Sequence, residues 1–161
     1  MKKEEYKFEY TIFNSIADLS AEDAMLLKQA KEETKFAYAP YSHFQVAAVA
    51  KLVNGEIVKG TNQENASYPV GICAERVLLS TASSIFPEVA IKTMAITYNN
   101  LHGTSNMPVS PCGMCRQALV EFEDRTKHPI RLILGGFEGP VYILEKSKQL
   151  LPFSFGGEDL K

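Results

Sequence analysis

The stretch SPCGMC, residues 110–115, sets Cys112 and Cys115 three positions apart behind a serine and a proline. The remaining cysteine, Cys73, opens the stretch CAER, with Glu75 two positions further on. Residues i and i+3 of a helix share a face with their Cβ atoms about 5–6 Å apart, so two thiolates so placed reach one tetrahedral Zn²⁺ at about 2.3 Å each. A helix N-terminus also favours the thiolate over the thiol. Cys73 sits at the predicted start of a second helix, and the same argument applies to it. Three thiolates leave one tetrahedral position open, as catalytic zinc sites do and closed structural sites do not. The histidines His43, His102 and His128 are the candidates for a fourth ligand, and none stands at ligand spacing from a cysteine.

Glu75 supplies the second half of this chemistry. Zinc lowers the pKa of water from 15.7 to about 7, and a nearby carboxylate that is not itself a ligand can take that proton and deliver it to a substrate. Without the cysteines, Glu75 would read as a first-turn glutamate helped by the helix dipole. With them, general acid/base catalysis is the expected role. Three thiolates on one Zn²⁺ give a net negative centre, which weakens the metal's pull on water. The guanidinium of Arg76 is placed to draw electron density off the sulfurs and offset this; its bland alternative is a surface arginine.

These residues need elements to hold them. Ser20, followed by Ala21, Glu22 and Asp23, predicts a helix start with an N-cap hydroxyl and acids in the first turn; Pro40 stops that helix beyond about Phe36 or Tyr38. FQVAAVAKLV (44–53) leans to strand, Asn54-Gly55 supplies the φ > 0 pair of a tight hairpin, and EIVKG returns. A helix is expected from Cys73 to before Pro87, then a buried strand over 92–98 and a polar loop from Asn99 to Val109. SPCGMCRQALVEF predicts a helix with Ser110 at the N-cap and Pro111 at the first position. Strands over 130–136 and 141–145 and a short helix before Pro152 complete the chain, with residues 1–14 a short strand or loose arm. Helices alternating with strands after an opening hairpin predict a three-layer α/β/α sandwich around a mixed sheet, in one domain over 1–161.

The length of 161 residues suits one compact domain, and 45% hydrophobic with 22% charged residues is an ordinary globular balance. A formal net charge of −2 argues against a broad nucleic-acid surface. MKKEEYKFEY has no apolar core segment and so is not a secretory signal, and no apolar run approaches the ~20 residues that span a bilayer. A small, odd cysteine count fits a reducing compartment, so the cytoplasm is the expected location.

C-x-E followed downstream by P-C-x-x-C is the signature of the zinc nucleobase deaminases in its three-cysteine form. The sequence resembles, more narrowly, the cytidine deaminases that act on free nucleosides. YAPYSHFQVAA, GTNQENASYPVGICAER, SPCGMCRQ and LLPFSFGGEDL resemble blocks of that family in its order and cover the chain from about Tyr38 to Leu160. The resemblance implies one Zn²⁺ per subunit on Cys73, Cys112 and Cys115, with Glu75 as proton carrier. It implies that Asn62 and Glu64 hold the ribose hydroxyls, that Phe44 packs on the pyrimidine, and that Ala74, Tyr68 and Phe155 also bind substrate, partly from neighbouring subunits. It implies a homotetramer that deaminates cytidine and 2′-deoxycytidine in pyrimidine salvage, with no nucleic-acid or membrane partner. Two positions depart from the family. Ala47 replaces the usual glycine and is expected to crowd a backbone near the pocket; Gly157 stands where proline is common. The rival readings are a deaminase of a cytosine-containing antibiotic such as blasticidin S, against which the NQEN block argues, and a non-enzymatic zinc-stabilised binding module, which would have no use for Glu75.

Overall fold

The computed structural model describes residues 1–161. Strands β1 (Thr11–Phe13), β2 (Phe44–Leu52), β3 (Ile57–Thr61), β4 (Ile91–Asn100), β5 (Arg131–Gly135) and β6 (Val141–Leu144) alternate with helices α1 (Ala21–Glu33), α2 (Ala74–Ile85) and α3 (Gly113–Thr126). The strands form one sheet in the order β1-β6-β5-β4-β2-β3. Only β4 and β5 run parallel, and α3 makes the long crossover that a parallel pair requires. The expected mixed sheet is therefore present. No helix is long and apolar enough to cross a membrane.

Side-chain alternation along the strands builds the three layers. On one face Leu26, Leu27 and Ala30 of α1 pack on Val49, Ala95, Ile133, Val141 and Ile143. On the other, Leu78 and Ala82 of α2 and Leu119 and Phe122 of α3 cover Ala48, Ala50, Leu52, Met94, Ile96 and Leu132. The crowding expected from Ala47 does not arise. Its neighbours Val46 and Ala48 face α2 and α3, so period-two alternation turns the Ala47 methyl to the α1 side. Gly157 has open space around the position a Cβ would take.

Local signals hold in most places. The Ser20 hydroxyl accepts a hydrogen bond from Asp23 N at 3.2 Å, and α1 passes into a 3-10 turn at Thr34–Phe36 before Pro40. Two expectations need correction. In the β2–β3 hairpin only Gly55 has positive φ, at 92°. Asn54 instead accepts a bond from Glu56 N through Oδ1, and Gly55 N donates to Leu52 O, giving a three-residue loop rather than a two-residue turn. The last helix begins at Gly113 with Cys112, not Ser110, at the N-cap. The side chain of Arg116 explains this. Its Nε donates to Pro111 O at 2.9 Å and its Nη1 to Leu150 O, which holds the Pro111 carbonyl outside the helix.

Two contacts lock the layers together. Glu123, 7% exposed, accepts bonds from Ile130 N, Ser147 N and Ser147 Oγ and so ties α3 to the start of β5 and the turn after β6. Gly60 of β3 lies against the first turn of α2. A Cβ there would stand 2.5 Å from Ala74 O and 2.5 Å from Leu78 N, both backbone atoms that cannot swing away. Gly60→Ala is therefore expected to lower stability by about 1–3 kcal/mol, the usual range for overpacking. Urea unfolding checks it, and an unchanged midpoint would contradict the contact.

Candidate active site

The N-termini of α2 and α3 converge on one side of the sheet, and each is capped by a cysteine. Cys73 (φ −74°, ψ 152°) and Cys112 (φ −67°, ψ 171°) both have extended backbone, and neither side chain is spent on a capping hydrogen bond. Cys115 lies in the first turn of α3 and is fully buried. The Sγ atoms of Cys73 and Cys112 are 3.8 Å apart, those of Cys112 and Cys115 are 3.5 Å apart, and all three lie within 4.8 Å of one another. Tetrahedral zinc with Zn–S bonds of about 2.3 Å needs S···S separations of roughly 3.8 Å. The donor set fits the metal in number, softness and spacing. No histidine joins the cluster. The rings of His43 and His102 face each other at 4.1 Å, and His128 Nδ1 lies 2.8 Å from Pro129 O.

The electrostatics match this arrangement. The thiol of Cys73 is pulled down to about 6, first by its hydrogen bond with Cys115, with Cys112 and the Arg76 charge assisting, against burial and Glu75. Cys115 is pushed up, chiefly because it gives its proton to that same bond and then because it is buried beside Glu75.

Glu75 is in the first turn of α2 and 5% exposed. Burial raises its carboxyl above the ordinary 4.5, favouring a group that holds and releases a proton. It borders a cavity of about 390 Å³ together with Asn62, Glu64, Tyr68, Cys73 and Ala74. Cys112 lines the same cavity, and Val46, Ile72, Ile96 and Met114 give it an apolar wall. Two of the expected metal ligands, the proton carrier and the ribose-binding pair thus border one space, and the Cys115 sulfur lies 3.5 Å from that of Cys112.

Four expected residues lie outside that lining, the first being the fully buried Cys115. Phe44 stacks on Tyr98 with centroids 4.7 Å apart and planes at 16°. Phe155 is 59% exposed, and its backbone carbonyl accepts a bond from Gln117 Nε2. Arg76 borders a groove between α2 and α3 with Ser80, Ser83 and Arg125, and acts on Cys73 through charge without a hydrogen bond to sulfur.

The structure also adds residues that the sequence reading missed. Tyr41 N and Ser42 N donate to Glu64 Oε2 at 2.9 and 3.3 Å. Burial pushes the Glu64 carboxyl up, but bonds from the Ser42 hydroxyl and these two amides outweigh it and hold the group below its ordinary value. Asn62 is similarly anchored: Oδ1 accepts from Val46 N at 2.7 Å, and Nδ2 donates to Phe44 O at 3.0 Å. Tyr98 was legible only as a strand aromatic. Its pairing with Val46, two residues from Phe44, puts the two rings on the same face.

Residues 20–128 match the family described as "Cytidine and deoxycytidylate deaminase zinc-binding region". The cytidine deaminase of Halalkalibacterium halodurans is 38% identical over 138 residues, covering 84% of this chain and 96% of that protein. That of Sporosarcina psychrophila is 34% identical over 135 residues, covering 84% and 92%. The crystal structure of cytidine deaminase from Burkholderia pseudomallei superposes with a TM-score of 0.72 at 32% identity, over 85% of this chain and all of that one. Three sulfurs spaced for one zinc, a buried glutamate beside them and these relatives agree, and the chain belongs to the cytidine and deoxycytidylate deaminase family.

Proposed function

We propose that this protein hydrolyses the exocyclic amine of cytidine and 2′-deoxycytidine, giving the uridines and ammonia. The observation that carries this reading is the position of Glu75: buried, two residues from Cys73, and on the wall of a cavity that Asn62 and Glu64 also border. Zinc held by Cys73, Cys112 and Cys115 supplies a Lewis acid that makes hydroxide accessible from water near neutral pH. Glu75 takes the proton from water as the oxygen adds to C4 of the pyrimidine, and passes it to N3. It then carries the second proton to the amine, which leaves as ammonia while the C4 carbonyl forms. Ala74, at the first position of α2, lies beside the reacting ring. The charge of Arg76 tempers the electron-rich sulfurs. Tyr68 covers the sugar side.

The reading includes a homotetramer. Phe155 is exposed and absent from the cavity wall of its own chain, which suits a residue lent to a neighbour. Phe44, stacked on Tyr98, is the aromatic assigned to packing on the pyrimidine. Residues 1–161 form one catalytic domain with an N-terminal arm, working in the cytoplasm in pyrimidine salvage. No nucleic acid or membrane is required.

The sugar contact gives the test. Two amides hold Glu64 Oε2 and fix the carboxylate on the cavity wall, where it is oriented to accept from a ribose hydroxyl. Such a charge-assisted bond contributes ~1.5–3 kcal/mol. Glu64→Ala should lower kcat/KM for cytidine by roughly 10- to 100-fold while barely changing the slow turnover of free cytosine. Ammonia release from both substrates, on zinc-replete wild type and variant, checks this. No ammonia from cytidine with wild type would overturn the function; equal losses on both substrates would reduce Glu64 to a support for the Tyr41–Ser42 loop.

A further inference from the structure

The segment before β1 carries no regular secondary structure and is exposed throughout residues 1–10. None of the backbone hydrogen bonds outside the regular elements involves these residues, so its amides and carbonyls have no partner within the chain. It leads into β1, the edge strand of the sheet, which pairs only with β6. Unpaired strand backbone next to a sheet edge is a template for another strand. The segment precedes residue 20, where the match to the family begins.

Its two faces differ sharply. Tyr6, Phe8 and Tyr10 form a row with centroids 6.4 and 6.2 Å apart, and Tyr10 continues it to Tyr142 of β6 at 5.3 Å. Tyr6 also donates its hydroxyl to Gln149 O at 3.1 Å. These contacts link alternate residues, as in a strand, and hold the arm against its own chain, so pairing it costs less ordering than pairing a coil. The opposite face is Lys3, Glu5, Lys7, Glu9, a row of alternating charge in which Lys7 Nζ lies 3.2 Å from Glu5 Oε2.

That alternation selects its own complement. Two copies running antiparallel about a two-fold axis at Tyr6 set Lys3 against Glu9 and Glu5 against Lys7, and each pair recurs by symmetry. Moving the axis to Glu5 sets Lys3 against Lys7; moving it to Lys7 sets Glu5 against Glu9. Parallel in-register pairing sets every charge against itself. Opposite charges across a strand pair stabilise and like charges destabilise, and isologous pairing is the ordinary way for identical chains to meet. We propose that the N-terminal arm is a self-association surface whose partner is the arm of a second copy of this chain, paired antiparallel about Tyr6.

The test uses the zinc-loaded full-length protein and a zero-length carbodiimide cross-linker. Lys3 and Glu9 of one extended arm are about 20 Å apart at ~3.3 Å per residue, so a direct link between them joins two chains. The expected result is a linked peptide carrying two copies of the arm, joined from Lys3 to Glu9. Lys7→Glu should lower its yield about tenfold, because both symmetry-related Glu5–Lys7 pairs become repulsive. The double variant Glu5→Lys/Lys7→Glu restores opposite charges in the same register and should restore the link. Failure to find a two-copy link in the wild type overturns the proposal. So does a link that is indifferent to Lys7→Glu, or one that the double exchange leaves depressed. Deamination should be unchanged in all three proteins, since the arm lies outside the cavity wall.

Discussion

Glu75→Gln is expected to lower kcat/KM for cytidine by at least ~10²-fold and by as much as ~10⁴-fold, the range for a positioned general acid/base. Glutamine matches glutamate in size and keeps the side chain packed in its nearly closed position, but it cannot take a proton from water or return one to N3. The three sulfurs are untouched, so zinc should remain bound. Stability should not fall either. Burial raises the folded-state pKa of this carboxyl above 4.5, so the native state binds more protons than the unfolded chain. In the metal-free protein stability therefore declines as pH rises through that interval, and at neutral pH the buried group is a burden to the fold that glutamine removes. The expected signature is full metal content, lost turnover and, once zinc is stripped from both proteins, an equal or higher Tm. Steady-state kinetics, elemental analysis and thermal unfolding on one preparation read all three. Near-normal turnover would make Glu75 a plain helix residue.

Cys112→Ala is expected to abolish zinc binding, and it is the most discriminating of the three cysteine variants. Cys112 is exposed, whereas Cys115 is fully buried. Truncating Cys115 leaves a hole in the core and confuses packing with metal loss. Truncating Cys112 removes little packing, so the change it causes passes through the metal. Because zinc joins the starts of α2 and α3, losing it should also lower Tm, since free energy of metal binding to a folded site is free energy of folding. A strong chelator should bring wild type down toward the Tm of the variant and leave the variant unmoved. Full zinc in purified Cys112→Ala would remove this residue from the ligand set.

How much of the site could be read in advance depended on the range of each interaction. The i, i+3 spacing of Cys112 and Cys115 is a local fact about one helical turn, and it survived a two-residue error in where that helix begins. The error arose because Arg116 reaches Leu150 as well as Pro111, a contact 34 positions away in sequence. Asn54-Gly55 correctly marked a turn, but the Asn54 side chain bonded the backbone and so changed the kind of turn. Glu64 could be matched by family resemblance. Its anchoring by Tyr41 and Ser42, 23 and 22 residues away, could not be foreseen.

By itself the sequence determined what depends on neighbours within a turn or a strand: the Ser20 cap, the helix starts near Cys73 and Cys112, the alternation of β2, and the thiol and carboxylate chemistry set side by side in CAER. Those follow from dihedral preferences and from periods of 3.6 and two, which any short segment carries. Tertiary structure decided which of these features meet. Cys73 and Cys112 are 39 residues apart, and their sulfurs come within 3.8 Å only because α2 and α3 pack on one face of the sheet with their N-termini together. The same packing buries Glu75 and shifts its proton affinity, and strand register turns Ala47 away from the cavity while placing Phe44 on Tyr98. Burial and long-range proximity are properties of the whole assembled core, because solvent exclusion and register need every layer in place before either is defined.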